Sequence, residues 1–176
     1  MLLQDSSLVV TVTFFSQIST AAKLTSKVER NINLTRMSSL LCDRALGVSA
    51  NDGEWHHICV SWENNAESLD FYMDNVLSAN KTNFKRGQVI TAGGSLVLGQ
   101  EQGLLGGGFN NTTSFRGLLT NLNVWNYSLS PDTIAQISKG CLNEEPGTVY
   151  KWAYFKYGVR GRPRFHVPSP CNVKGK

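Results

Sequence analysis

The stretch Asn51-Asp52-Gly53-Glu54-Trp55-His56-His57-Ile58-Cys59-Val60-Ser61-Trp62 decides how the rest of the chain is read. From Trp55 onward it alternates. Ile58, Val60 and Trp62 fall on one side of an extended chain, and His57, Cys59 and Ser61 on the other, the period of two that marks a β-strand. Asn64-Asn65-Ala66 is a turn, after which Ser68 to Met73 alternates again with Leu69, Phe71 and Met73 on one face. Asp74-Asn75 then suits a tight hairpin, because both residue types tolerate positive φ better than most.

Working outward, Leu8 to Phe15 is β-branched and aromatic, a strand by composition. Ser16 to Arg36 fits neither period. Val89-Ile90 and Ser95 to Leu98 read as short strands split by Gly93-Gly94, and Gly117 to Trp125 as the last clear strand. One helix is signposted from Pro131 to Lys139. Ser130 is the N-cap and Pro131 stands at N1, where its missing N–H costs nothing. Asp132 and Lys139 complement the dipole, and Gly140 is placed to be the C′ residue. A single short helix among many strands predicts an all-β fold, a two-sheet antiparallel jelly roll or sandwich. Trp62, Phe71, Leu122 and Trp125 are expected in its core.

The 176 residues, 41% hydrophobic and 17% charged, suit one folded domain, and no apolar run approaches a membrane span. Met1 to Asp5 carry no basic n-region, so no standard signal peptide is read there. The formal charge of +4 is uneven: residues 150–176 hold seven Lys/Arg and no Asp or Glu, whereas residues 1–149 hold ten basic against thirteen acidic residues. The tail is either a solvated surface segment or a meeting place for a polyanion, with Arg160, Arg162 and Arg164 as candidates. Gly161 and Pro163 interrupt it, and no nucleic-acid-binding signature accompanies it.

Catalytic patterns are missing. A glycosidase on a sandwich fold needs a close carboxylate pair, and no same-face E-x-D-x-E run exists; Asp70 and Asp74 have no third partner. His56 and His57 are adjacent and point to opposite sheet faces, so they cannot share a metal; His57 reads as structural. Gly106-Gly107-Gly108 is followed by neither Lys-Ser/Thr nor a helix and is no phosphate loop. Four cysteines (Cys42, Cys59, Cys141, Cys171) lack C-x-x-C zinc spacing. Five N-x-S/T sequons stand at Asn33, Asn80, Asn110, Asn111 and Asn126, of which exposed turns best suit Asn80 and Asn126.

Three motifs in one order resemble the pentraxin family. Residues 51–62 resemble its H-x-C-x-S/T-W signature. Gly94 to Gln102 (GSLVLGQEQ) with Gly106-Gly107-Gly108-Phe109 resembles its calcium loop. Asn123-Val124-Trp125 with Leu129-Ser130-Pro131 resembles its N-[IV]-W … L-S-P segment. The likeness is dense over 51–141, divergent or truncated over 1–50, and thinner over the basic segment 142–176, all within a single domain; the chain is expected to begin part-way into that domain. After Cys141, the residues Val149 to Trp152 and Cys171 look like neuronal-type members and pentraxin modules of larger extracellular proteins.

The resemblance implies a secreted or extracellular, non-enzymatic jelly roll. Such domains bind calcium and, through it, anionic or carbohydrate ligands, and often form homo-oligomers. It places Glu101 and Gln102 at the start of the metal loop, Glu101 offering a carboxylate and Gln102 its backbone carbonyl. Where the family usually has Asp, this chain has Gly103; where it usually has an acidic residue and then Gln, it has Asn110 and Thr113. Its upstream Asp/Asn pair falls near Ala22 to Ser26, where no carboxylate stands. Calcium affinity follows ligand charge, so binding is expected to be weak or absent. The resemblance also implies a bridge from Cys141 to Cys171, tying down the tail. For Cys59, a bridge to Cys42 and a free buried thiol stay equally open. Two further readings stand beside this one: a calcium-independent adhesion or assembly module of a receptor or matrix protein, and a laminin-G-like or jelly-roll carbohydrate-active enzyme.

Overall fold

The computed structural model describes residues 9–18, 26–27, 50, 52–84, 95–100, 102–141 and 146–171, the side chains of 9–18, 26–27 and 113 excepted. Among the described residues seven strands are formed: β1 (Val9–Ile18), β2 (Ser26–Lys27), β3 (Trp55–Glu63), β4 (Ser68–Met73), β5 (Val76–Lys81), β6 (Ser95–Leu96) and β7 (Gly117–Trp125). Two helices follow, α1 (Pro131–Ser138) and the single turn α2 (Trp152–Phe155). The main sheet runs β5-β4-β3-β1-β7, antiparallel at every pairing, and β2 pairs with β6 in a second sheet.

Alternation on β3 is real, yet both of its faces are buried. On one side Ile58, Val60 and Trp62 join Leu69, Phe71, Leu122 and Val124, with Leu96 of the second sheet packed against them. On the other side Cys59 joins Trp125, Leu129, Ile134 and Ile137. Helix α1 therefore covers the outer face of the main sheet through Ile134 and Ile137, three residues apart on one stripe. Trp62 and Trp125 are both core residues, but of opposite faces.

Asp74 and Asn75 adopt φ of 51° and 67°, the left-handed pair that a two-residue hairpin of matching twist requires. Ser130 caps α1 by accepting from the Thr133 amide at 3.1 Å. Its C-terminus falls within one residue of expectation, with Gly140 at C′. The helix ends at Ser138, Lys139 is the C-cap, and Gly140 does not take up the left-handed conformation. The last turn tightens instead through Lys139 N donating to Gln136 O and Gly140 N to Ile137 O, which leads the chain into buried Cys141.

Beyond Cys141 the chain returns to the main sheet. Tyr150 bridges antiparallel to Val124, and the buried Asn123 Oδ1 accepts from the amides of Gly147 and Trp152, both at 3.2 Å. Gly147 is obligatory here, because a Cβ would meet Tyr150 O at 2.1 Å and Val124 N at 2.6 Å. Trp152 and Phe155 of α2 then pack on the inner core. The expected strand Val89-Ile90 and the ambiguous stretch between β1 and Arg36, apart from β2, lie outside the described residues.

Candidate ligand-binding loop and its surroundings

The loop after β6 is held by its own hydrogen bonds. Gln102, 4% exposed, donates through Nε2 to Ser95 O at 3.0 Å and accepts at Oε1 from the Gly106 amide at 2.7 Å. Inside this clamp the chain folds back: Gly103 N donates to Gly108 O, and Leu104 and Gly107 exchange both backbone bonds. The approach is so close that a Cβ on Gly103 would lie 2.8 Å from Gly108 O. The residue that stands where a carboxylate was expected is thus one the backbone admits only without a side chain. Leu104, Leu105 and Phe109 project outward.

Asn110 caps the short 3-10 turn Asn111–Thr113, its Oδ1 accepting from Thr112 N at 3.0 Å and from Thr112 Oγ1 at 2.9 Å. Thr113 ends that turn, and Glu101 lies outside the described residues. Among the described residues no three His, Cys, Asp or Glu side chains gather to hold a metal ion. A hard cation wants six to eight oxygens, several of them carboxylate. Within the described part of the loop, Gln102 Oε1 and Asn110 Oδ1 each accept a hydrogen bond from the loop's own backbone.

Cys141 and Cys171 are bonded, closing a loop of sequence separation 30 over α2 and the basic segment. Cys59 is a free thiol, so of its two alternatives the bridge to Cys42 is not made. It sits fully buried on the α1 side of β3, where burial pushes its pKa up to about 12 and Asp70 adds in the same direction, leaving an inert packing group. Cys42 and Asn33 lie outside the described residues. Asn80 is exposed with its Nδ2 donating to Asp70 Oδ1 across β4–β5, and Asn110 and Asn111 are exposed. Asn126 is half-buried, its Oδ1 accepting from Thr148. Arg160, Arg162 and Arg164 are all exposed.

One cluster had no signal in the sequence. His56 is clasped between Asp74, at 2.7 Å from Nδ1, and Asp52, at 3.0 Å from Nε2. Asp74 also accepts the His57 amide at 2.9 Å, so the β4–β5 turn is tied to β3. Nothing in the sequence says that a residue eighteen positions away closes one side of His56.

The Pentaxin family model matches residues 24–166. The chain belongs to this family. Similar proteins include the sushi, von Willebrand factor type A, EGF and pentraxin domain-containing protein 1 of Rattus norvegicus, 41% identical over 69% of this chain and 3% of that protein. Human pentraxin-4 is 42% identical over 51% of the chain and 19% of its own length. Neuronal pentraxin-1 of Rattus norvegicus is 39% identical over 63% and 26%. The pentraxin match thus spans about a quarter or less of these relatives. Among solved structures, the native heptameric SAP-like pentraxin from Limulus polyphemus superposes with a TM-score of 0.62 over 83% of this chain and 77% of that one, at 21% identity, a likeness of fold. The jelly roll is therefore that of the pentraxins. No helix among the described residues is long and apolar enough to cross a membrane.

Proposed function

We propose that this chain is a non-enzymatic, extracellular recognition domain of the pentraxin type whose calcium site is weakened, so that recognition proceeds largely by direct contact. The observation that carries this reading is Gly103: where the family usually has Asp, a Cβ would lie 2.8 Å from Gly108 O, while the Gln102 side chain braces the same loop from within. The exposed Leu104, Leu105 and Phe109 favour a calcium-independent adhesion or assembly role, because apolar loop tips suit protein surfaces better than ions. The Cys141–Cys171 bond and the exposed sequon residues Asn80, Asn110 and Asn111 support an oxidising, extracellular setting with N-linked glycans. No catalytic role is assigned, and Asp70 is engaged by Asn80 across the hairpin. Homo-oligomerisation, as in the heptameric Limulus protein, is read directly by sedimentation.

Thermal unfolding in millimolar calcium against EDTA, with a calorimetric calcium titration, tests the reading. A micromolar site would add about 4 kcal/mol under those conditions, roughly 8–16 °C for a domain of this size. The expected result is no rise in Tm. A clear rise would mean that Glu101 and other oxygens still assemble the site, and would overturn the weakened-site reading.

A further inference from the structure

Residues 156–164 form the most one-signed exposed surface described. Lys156, Arg160, Arg162 and Arg164 are all exposed, and no Asp or Glu occurs from Pro146 to the end of the chain. The ion pairs found among the described residues lie at His56, and none involves these arginines. The segment is not a free tail. At its start, α2 is fastened to β7 through Asn123 and through the packing of Trp152 and Phe155. At its end, Cys171 is bonded to Cys141 beside α1. Pro163 restricts its own φ and keeps Arg162 extended, and Gly161, at φ +82°, supplies a bend. Arg160 and Arg164 are four residues apart, so their backbones lie within about 14 Å of each other. Three exposed arginines thus stand within five consecutive residues of a chain already restrained at both ends, which lowers the ordering cost of binding.

We propose that this strap, Lys156 to Arg164, binds sulfated polysaccharide chains and does so without calcium. Guanidinium groups match the planar fork of sulfate-type oxyanions, and a run of them along an extended segment suits a linear polyanion. The disulfide selects among polyanions. It belongs to oxidising compartments, whereas nucleic acids and the anionic leaflet of the membrane face the reducing side. The inference shares only the extracellular setting with the function proposed above and is independent of the state of the Gln102 loop.

The test is binding of this chain to heparin, to desulfated heparin, to single-stranded DNA and to phosphatidylserine vesicles, in EDTA and across a salt series. Two triple variants are compared: R160S/R162S/R164S and the charge-matched K81S/R116S/K139S. Heparin is expected to bind in EDTA and desulfated heparin at least tenfold more weakly. The arginine triple is expected to lose at least tenfold in heparin affinity, with a salt slope shallower by about one per arginine removed, and the control triple less than threefold. Equal losses in the two triples would reduce the effect to net charge and overturn the proposal. So would loss of binding in EDTA, equal binding of desulfated heparin, or tighter binding of DNA or vesicles. A calcium response of the Gln102 loop leaves these outcomes unchanged, so the two readings fail separately. Should the arginine triple not fold, arginine modification of the unaltered protein replaces it: heparin is expected to shield Arg160, Arg162 and Arg164 from a dicarbonyl reagent, read by mass spectrometry, and no shielding overturns the proposal.

Discussion

His56 and His57 are neighbours on β3, and their surroundings drive them in opposite directions. Burial strips His57 of water and lowers its pKa to about 4, against a small opposing pull from Asp74. Burial also acts to lower His56, but its hydrogen bonds to Asp74 and Asp52 outweigh that and raise it. For His57 the folded pKa lies below the unfolded value of 6.5, so its contribution to stability is present above pH 6.5 and is lost as pH falls toward 4. The loss amounts to about 3 kcal/mol. Urea unfolding at pH 7 and pH 4.5 is expected to show that fall, and His57→Gln to remove most of the difference; an unchanged pH slope in the variant would contradict it. His56 runs the other way: its stabilisation is full below pH 6.5 and fades as pH rises through its raised value, which tempers the same titration.

Among the elements, the loop after β6 makes the sharpest statement. The clamp at Gln102 and the close approach of Gly103 to Gly108 give this loop a backbone that needs no metal to hold it. Gln102→Ala would leave Ser95 O and Gly106 N to find water or stay unpaired. The expected cost is about 1–3 kcal/mol in urea unfolding, with or without calcium. A cost seen only in EDTA would mean that a cation braces the loop when present. Helix α1 was readable because its signals are local: a serine cap, a proline at N1 and two isoleucines three apart. Its end was readable to within a residue, with Gly140 at C′, although Gly140 is not left-handed and the chain runs directly into buried Cys141.

At the scale of the whole molecule, the C-terminal arm is stitched to the body at several kinds of point besides the packing of α2. These are the Val124–Tyr150 bridge, the buried Asn123 and the Cys141–Cys171 bond. The bond closes a loop of sequence separation 30, which in the loop-entropy account stabilises by about 3–4 kcal/mol. C141S/C171S is expected to lower the urea midpoint by that equivalent while leaving the β-sheet signal in circular dichroism intact. A loss below about 1 kcal/mol would indicate that Asn123 and α2 hold the arm unaided.

The strands β3, β4 and β7, the hairpin at Asp74-Asn75 and the start of α1 were legible in the chain alone. Each follows from a period of two, a pair of residues tolerant of positive φ, or a cap, and these act within a few residues. The alternation on β3 could not say that both faces would be buried, because the second cover, α1, begins 68 residues after the strand ends (Glu63 to Pro131). In the candidate site, the missing carboxylate at Gly103 was visible in the sequence. That Gln102 turns its amide into the loop and that Asp74 reaches His56 were not. Those contacts depend on how distant segments are brought together, and side-chain hydrogen bonds form only where packing has already set both partners within reach.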